Sequence, residues 1–445
     1  MPEKIRILTI EVGSTITKVN GFARLPGGQL LHLAKGFAPT SISQGDVRIG
    51  VDQAMAQLRN SDIVFADSVE TFINSSAAGG LRMTVHGLTY NMTARAAREA
   101  ALGAGAIVKK VTAGLLDEYE LEEIHEIRPN IILLAGGVDF GEKATVLENA
   151  RKIAILNLPV PVVYAGNRAL QKPVAQLFRD AGIECLLAEN VFPEVDVLNI
   201  QPLRRIIHEV FNRHIIHAPG MNRLAELTSK EIIPTPGAVL RASELLADVH
   251  GDCLVFDVGG ATTDVHSVTD GSPEWANRLV EPEPRAKRTV EGDLGVFINA
   301  RNIIEITENW EQEDQLVHLQ PIPATGDEME LTRWLCAKAV EVSARRHAGV
   351  VSDLYTPTGR KQIVKGKDLS AVKWVIGTGG ALTRVQGGKE ILVKICTGAG
   401  RHLLPQPGTP IRLDRNYLFS ALGTVAQSYP HEVALTFEHW LEEEA

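Results

Sequence analysis

The stretch LVFDVGGATTDV, residues 254–265, is the most informative about how this chain folds. An apolar strand ends in Asp257, a turn of glycines and hydroxyl residues follows, and a second strand begins. A related stretch, IRILTIEVGSTITK, spans residues 5–18 and carries Glu11 at the corresponding position. Glycines let backbone N–H groups approach phosphate oxygens, and the carboxylate can hold a hydrated Mg²⁺. Two such hairpins facing each other predict an ATP-binding cleft between two related halves.

Composition places the chain among ordinary globular proteins. Its 445 residues predict two or more domains, with 44% hydrophobic and 22% charged residues. A net charge of −9 argues against nucleic-acid binding, and the apolar runs are too short to cross a bilayer. The four cysteines are isolated in sequence, which predicts reduced thiols. With no signal peptide recognised before the first strand, we expect a cytoplasmic protein.

A regular alternation of strands and helices predicts an inserted α/β unit with a buried parallel sheet. The alternation runs from about residue 106 to 200, with predicted strands at 107–111, 131–135, 160–165 and 184–187 and predicted helices at 120–126, 142–155 and 169–181. Before it, residues 82–86 predict a strand and residues 94–104 a helix with Thr93 as N-cap. Outside this unit, residues 46–59 predict a helix and 63–65 a short strand. The resulting domains are residues 1–70, the inserted unit at 71–220, and residues 221–445.

The two hairpins differ in how specific they are. A Gly-Ser-Thr turn after a strand is usually only a turn, whereas two glycines and two threonines behind a buried carboxylate weaken a strand without structural benefit. A third element, residues 373–382, is a strand followed by a glycine-rich bend that can accommodate a flat nucleoside. Its position after the two hairpins makes it informative.

The order of these motifs resembles the superfamily of sugar kinases, heat-shock chaperone ATPases and actin. The resemblance implies an α/β fold of two actin-like, ribonuclease H-like halves around a nucleotide cleft. In it, residues 11–18 correspond to phosphate-1, 257–264 to phosphate-2 and 377–381 to the adenosine motif. The small-residue segments 235–242 and 419–425 resemble the two connecting helices that cross at the hinge.

A closer resemblance covers nearly the whole chain. The segments 75–83, 132–137, 165–167, 234–236 and 288–295 are similar to the MutL family associated with glutamate mutase, which shares only its name with the mismatch-repair protein. This resemblance implies an ATP-dependent accessory protein that reactivates an adenosylcobalamin-dependent mutase. Mutase subunits would be its partners, and a homo-oligomer stays compatible with the sequence.

The resemblance implies a set of site residues. Glu11 and Asp257 are candidate Mg²⁺ ligands, and Asp257 and Asp264 are candidates to orient an attacking water. The candidate phosphate- and nucleoside-binding residues are Gly13, Ser14, Thr15, Lys18, Gly259, Gly260, Thr262, Thr263, Gly377, Thr378, Gly379 and Gly380. Lys18 meets either a phosphate or only its own strand, and the acidic loop 291–293 faces either the metal or solvent.

Two departures bear on the activity that the resemblance implies. Glu11 replaces the usual aspartate, and Thr235 stands where the chaperones carry a glutamate. Since threonine cannot act as a base toward water, we expect slow ATP hydrolysis suited to a conformational switch. Alternatives are a small-molecule kinase or ATP-dependent hydrolase and a polymerising actin-like scaffold. A radical-dehydratase activator is disfavoured because the cysteines are separated.

Overall fold

In this computed structural model, the described residues are 3–60, 63–76, 81–215, 221–357, 359–398 and 400–441. They form two compact units, the first built from residues 1–77 with 219–445 and the second from 78–218. Residues 77–80, part of the segment 75–83 quoted above, lie outside the described residues. The predicted boundary at 70/71 falls within a strand, and the other, at 220/221, adjoins residues that are not described. The division into domains at those positions stays a prediction.

The first unit opens with a sheet whose first two strands are buried along most of their length. Strand β1 pairs antiparallel with β2 and parallel with β4, β2 pairs antiparallel with β3, and β10 pairs parallel with β4. The strand order is therefore β10-β4-β1-β2-β3. The elements are β1 (Lys4–Val12), β2 (Ile16–Arg24), β3 (Leu30–Pro39), α1 (Arg48–Arg59), β4 (Val64–Ser75), α7 (Met221–Ala225) and β10 (Ile233–Pro234).

The rest of this unit repeats the arrangement. Its sheet runs β13-β12-β11-β16-β17, with β11, β12 and β13 antiparallel and β16 and β17 parallel to β11. The elements are α8 (Thr235–His250), β11 (Cys253–Val258), β12 (Thr263–Val268), α9 (Pro273–Ala276), β13 (Ala286–Glu291), α10 (Ala300–Thr307), α11 (Gly326–His347), the hairpin β14 (Val350–Thr356) and β15 (Gly359–Lys365), β16 (Trp374–Thr378), α12 (Gly380–Thr383), α13 (Gly388–Val393), β17 (Ile411–Leu413), α14 (Leu418–Val425) and α15 (Pro430–Trp440).

Both sheets share one topology, an antiparallel three-stranded meander extended by two parallel strands beside its first strand. Helix α8 follows the first sheet, and α14 follows the second. A Cβ built on Gly423 of α14 would lie 1.8 Å from the carbonyl oxygen of Ala238 in α8, so only glycine permits this crossing. The repeated topology and the closely crossing helices confirm the predicted actin-like fold.

The second unit contains a five-stranded sheet, β6-β5-β7-β8-β9, in which every neighbouring pair is parallel. This confirms the predicted parallel sheet, since the strands are short apolar runs separated by helices. The elements are β5 (Arg82–Gly87), α2 (Arg95–Gly103), β6 (Ile107–Ala113), α3 (Glu118–Ile127), β7 (Ile131–Leu134), α4 (Ala144–Ile155), β8 (Val162–Tyr164), α5 (Gln171–Asp180), β9 (Cys185–Leu187) and α6 (Gln201–Ile215).

One local prediction was wrong, and another was too short. Thr93 does not cap α2; it lies inside a wider π-type turn, Tyr90–Ala94, and its hydroxyl accepts from the amides of Leu88 and Thr89. The strand predicted at 63–65 forms as the start of β4, which continues to Ser75 and pairs with β1 at both ends. This tertiary pairing sets the length of β4, which the local pattern does not show.

The structure also shows the state of the cysteines and the character of the helices. All four cysteines are unpaired thiols, as their isolated positions predict. Across the described residues, none of the helices combines the length and apolar character that a membrane crossing requires.

Candidate nucleotide site

The two glycine turns have the same backbone geometry. The amide of Gly13 donates to the carbonyl of Ile16 at 3.1 Å, and the amide of Gly259 donates to the carbonyl of Thr262 at 2.9 Å. A Cβ on Gly13 would lie 2.5 Å from the Ile16 oxygen. The turn after β1 therefore requires glycine because a side chain would collide with its own hairpin.

The two turns lie against each other within the first unit. A Cβ on Gly260 would be 3.2 Å from Cγ2 of Thr15, which places the phosphate-1 turn directly beside the phosphate-2 turn. The carbonyl of Gly260 accepts from the amides of Phe297 and Ile298 at 2.9 and 2.7 Å. Ser14, at the tip of the first turn, is exposed. The hairpins thus face each other as the sequence predicts.

The carboxylate of the first hairpin is already neutralised. Glu11 stands directly across the strand pair from Lys18, and its Oε1 accepts from Nζ of Lys18 at 2.7 Å. Its other oxygen accepts from the hydroxyl of Ser420 at the start of α14. Although burial alone would lower the pKa of Lys18, the charges of Glu11 and Asp257 raise it above its ordinary value. Nζ of Lys18 also lies 4.4 Å from the ring centre of Tyr417.

The second hairpin has the opposite character, because Asp257 stands across from another acid, Asp264. Burial, reinforced by the negative charges of Asp264 and Glu11 and opposed by Lys18, raises the pKa of Asp257 to about 7. Asp257 accepts no hydrogen bond and makes no ion pair within the described part of the chain. Its carboxylate stays partly accessible and is the free acid of the site.

Arg288 of β13 neutralises the negative charge of Asp264. Its Nε and Nη2 donate to one oxygen of Asp264 at 2.9 and 2.6 Å, and the side chain of Arg288 is only 2% exposed. The hydroxyl of Thr262 donates to the other oxygen at 3.2 Å. Sequence reasoning missed Arg288 as a site residue, although it opens the segment 288–295; its strand, AKRTVE, also carries Lys287 and Glu291, so no local signal marked this arginine.

The glycine bend of the adenosine motif touches this hairpin. Gly379 has φ = 88°, and a Cβ there would lie 2.8 Å from Oδ1 of Asp257 and 2.3 Å from the carbonyl oxygen of Val258. Gly380 follows as the first residue of α12 and has Tyr417 nearby. Only glycine at 379 can turn the chain this close to Asp257.

Three candidate binding residues face the interior instead. The hydroxyl of Thr263 is buried and donates to the carbonyl of Leu294 at 2.7 Å. The hydroxyl of Thr378 donates at 3.0 Å to Asp414, a buried acid that also accepts from the first amides of α14. A Cβ on Gly377 would meet leucine side chains, so this glycine serves packing. For Thr263 and Thr378, the position in the strand and not the residue type decides which side the hydroxyl faces.

Lys18 and the acidic loop 291–293, whose roles the sequence left open, both have partners in the structure. Lys18 contacts its own strand pair through Glu11. The acidic loop meets Arg346, whose Nη1 lies 2.7 Å from Glu291 and 2.9 Å from Asp293. The hydrogen bonds that Arg346 donates to Asp293 and Glu291 raise the pKa of Arg346 despite its partial burial. This loop is therefore tied to α11.

A buried amide links the two connecting helices. The hydroxyl of Thr235, the first residue of α8, donates to Oδ1 of Asn74 at 2.6 Å. Nδ2 of Asn74 donates to the hydroxyl of Thr424 in α14 at 2.7 Å. Asn74 lies at the end of β4 and is fully buried. Thr235 is thus tied through Asn74 to β4 and α14.

The residues that are present favour a hydrated cation over a protein cage. Among the residues that the structure describes, no three His, Cys, Asp or Glu side chains form a group that could hold a metal. Both Glu11 oxygens have partners, whereas Asp257 is unpartnered and crowded by negative charge. A hydrated Mg²⁺ held by one carboxylate and substrate phosphates fits this donor set.

Comparison with known proteins assigns the family. The family model described as MutL protein matches residues 7–441. The chain belongs to the MutL family. A MutL-family relative from Clostridium tetanomorphum, Protein MutL, is 36% identical over 463 aligned positions that cover 98% of each chain. This is the family associated with glutamate mutase and not the mismatch-repair protein, which confirms the resemblance stated above.

Solved structures similar to this MutL-family chain include three that are distant in sequence. They are (R)-2-hydroxyglutaryl-CoA dehydratase component A of Acidaminococcus fermentans (10% identity, 96% of this chain and 98% of that one, TM-score 0.33), a glycerol dehydratase reactivase (9%, 95% and 99%, 0.33) and acetone carboxylase (15%, 65% and 48%, 0.34). The actin-like fold is shown by the strand order that the two sheets of the first unit share.

Proposed function

We propose that this protein is an ATP-dependent accessory factor that reactivates an adenosylcobalamin-dependent mutase, with glutamate mutase as the first candidate. The observation that carries the proposal is the contact between the two glycine turns, Thr15 against Gly260, beside the unpartnered Asp257. Facing backbone turns next to a free carboxylate suit a magnesium-bound phosphate chain. Membership of the MutL family supports the choice of a mutase as the partner.

In this proposal, three elements of the chain bind different parts of the nucleotide. The turns at residues 13–15 and 259–262 hold the phosphates, and the bend at Gly379 and Gly380 lies along the nucleoside. Asp257 holds the hydrated Mg²⁺, which neutralises charge on the phosphates. Lys18 stays with Glu11 or turns to a phosphate, since both are within reach of a long flexible side chain.

Few acidic groups are available to act on the attacking water, so ATP hydrolysis should be slow. Asp264 is committed to Arg288, so its oxygens are held and its charge is compensated. Asp257 has a pKa raised to about 7, which suits a group that takes a proton from an attacking water near neutral pH. Thr235 has no such capacity. We therefore assign water orientation to Asp257, with Asp264 supporting its position.

Nucleotide binding would act on the hinge through two buried contacts. Ser420 in α14 binds Glu11 of the first hairpin, and Asn74 joins α14 to α8. A shift of the first hairpin toward phosphate would therefore move the start of α14 past α8. Such small movements between closely packed helices are a known route to domain closure.

The inserted unit is proposed as the partner-binding part. Three exposed apolar side chains follow the carboxyl ends of its neighbouring strands β5, β6 and β7: Tyr90, 61% exposed, Leu115, 55%, and Phe140, 66%. The carboxyl ends of parallel strands share one edge of a sheet. An apolar edge on this unit suits contact with a protein.

The nucleotide step is tested by calorimetric titration of MgATP into the full-length protein. We expect saturable binding to the wild type and at least about tenfold weaker binding to Asp257→Asn, because the metal-bound phosphates lose their anionic partner. Asp270→Asn is the matched control, since this exposed aspartate on the segment after β12 lies away from the turns. Equal binding by both variants would remove Asp257 from the site.

The partner step is tested with glutamate mutase holoenzyme that has been inactivated during turnover. Wild-type protein with MgATP and intact adenosylcobalamin is expected to restore mutase activity, and Asp257→Asn is expected to fail. Phe140→Asp, in the inserted unit, should keep MgATP binding and lose the reactivation. Recovery that is independent of both protein and ATP would contradict the proposed role.

A further inference from the structure

A cavity lies away from the glycine turns, between α11, α13 and the segment leading to Leu404. Its volume is about 760 Å³. Small-molecule sites in proteins have volumes of roughly 300 to 1,000 Å³, so this groove has the size of a ligand site. None of the residues in the two turns or the adenosine bend lines it.

The groove is positively charged in an acidic protein. Five lysine or arginine side chains line it against two glutamates, whereas the whole chain has a net charge of −9. The cations come from three segments: Arg333, Lys338 and Arg345 from α11, Lys394 from the end of α13, and Arg401 from the following loop. Charges of one sign that converge on a concave surface concentrate ions of the opposite sign.

Among the residues that the structure describes, two of these cations make no ion pair. Arg333 pairs with Glu330, and Lys338 and Arg345 share Glu341 at 3.7 and 3.1 Å. Lys394 and Arg401, by contrast, make no ion pair with any residue that the structure describes. Glu390, the second glutamate of the groove, is likewise without an ion pair among these residues, so the lining keeps an excess of positive charge.

The other lining groups are apolar or weakly polar. Ile391 and Leu404 are buried, and the indole of Trp334 is half-buried beside them. His402 lines the same groove, and its Nδ1 is buried without a hydrogen-bond partner among the described residues. A ligand that matches these walls has an apolar body and an anionic end that also offers a hydrogen bond.

We propose that this groove binds a small organic dianion, a phosphate monoester or a dicarboxylate on an apolar or aromatic body. Lys394 and Arg401 bind the anionic group, and Trp334, Ile391 and Leu404 contact the apolar body. The site is separate from the nucleotide cleft, so it does not depend on the proposed function.

The test uses the fluorescence of Trp334 in the full-length protein. Phenyl phosphate and phthalate are the two probes, one for each source of negative charge. We expect at least one of them to change the emission in a saturable manner. In the double variant Lys394→Gln/Arg401→Gln, its dissociation constant should rise at least about tenfold. Lys361→Gln/Lys389→Gln removes the same charge at exposed lysines outside the groove and should bind as the wild type does.

Two further measurements exclude other sites. Trp334→Phe should lose the fluorescence change while calorimetry still detects binding, because phenylalanine keeps an aromatic wall. Saturating MgATP should leave probe binding unchanged. The proposal is overturned if neither probe binds up to millimolar concentrations, if the Lys394/Arg401 variant binds normally, or if MgATP displaces the probe.

Discussion

The hairpin β1–β2 and the hairpin β11–β12 share one backbone and differ in charge. Each turn is closed by a glycine amide that donates to the carbonyl three residues on. Across the first strand pair, Glu11 meets Lys18, whereas across the second pair Asp257 meets Asp264. The Glu11–Lys18 pair is neutral by itself. In the Asp257–Asp264 pair, the charge of Asp264 is neutralised only by Arg288, which comes from a third strand. Identical topology thus supports one compensated hairpin and one that retains a free acid.

Removal of Arg288 should have the largest effect on this contrast. Arg288→Met leaves Asp264 buried opposite Asp257 with no cation, and we expect a loss of about 3–5 kcal/mol in the free energy of unfolding in urea. In the first hairpin, Lys18→Met should cost less, because the Lys18 and Glu11 side chains are 16% and 10% exposed and Ser420 remains. The double variant Arg288→Met/Asp264→Leu should recover most of the stability. Equal losses at both hairpins would contradict the charge contrast.

The second-largest loss of stability is expected from substitutions in the two glycine turns. Gly13→Ala places a Cβ 2.5 Å from a backbone oxygen, whereas Gly259→Ala meets the corresponding oxygen at 3.1 Å. We expect Gly13→Ala to destabilise the protein by about 1–3 kcal/mol in thermal or urea unfolding and Gly259→Ala by clearly less. A reversed order would contradict the tighter contact of the Gly13 position with its own hairpin.

The free acid should give the protein a pH-dependent stability. The pKa of Asp257 is about 7 in the folded protein and about 3.9 in an unfolded chain. Between these values the folded state binds a proton that the unfolded state has released. The free energy of unfolding should therefore fall as the pH rises from about 4 to about 7, by at most about 1.4 kcal/mol per pH unit.

Asp257→Asn carries no charge at any pH, so urea unfolding at about pH 5 and about pH 8 should lack this slope. The variant should exceed the wild type in stability at the higher pH. Asp270→Asn, at an exposed site, should retain the wild-type slope. Parallel pH curves for all three proteins would mean that Asp257 is ionised in the usual range.

The smallest expected effect comes from the hydroxyl beside Asp264. Thr262→Val removes its hydrogen bond of 3.2 Å and should cost about 0.5–1.5 kcal/mol in unfolding. Thr262→Ser keeps a hydroxyl and should lose less. If the valine and serine variants unfold alike, the hydroxyl does not contribute to the charge network of the second hairpin.

Several parts of the site were predictable because their signals are local. Glycines behind a strand and a carboxylate at its end predict a phosphate turn, and both turns form at the expected positions. The order of the motifs predicted the repeated sheet. Thr263 and Thr378 were placed in the site by the same reasoning, yet both face the interior, since a residue type does not reveal which face of a strand it occupies.

Patterns within short segments were enough to predict the pair of hairpins, the parallel sheet of the inserted unit and membership of the MutL family. The contacts of Arg288 with Asp264, of Thr15 with Gly260 and of Asn74 with the two connecting helices became visible only in the folded molecule. These contacts join segments far apart in the chain. Their partners are selected by strand register and helix packing, which no local pattern encodes.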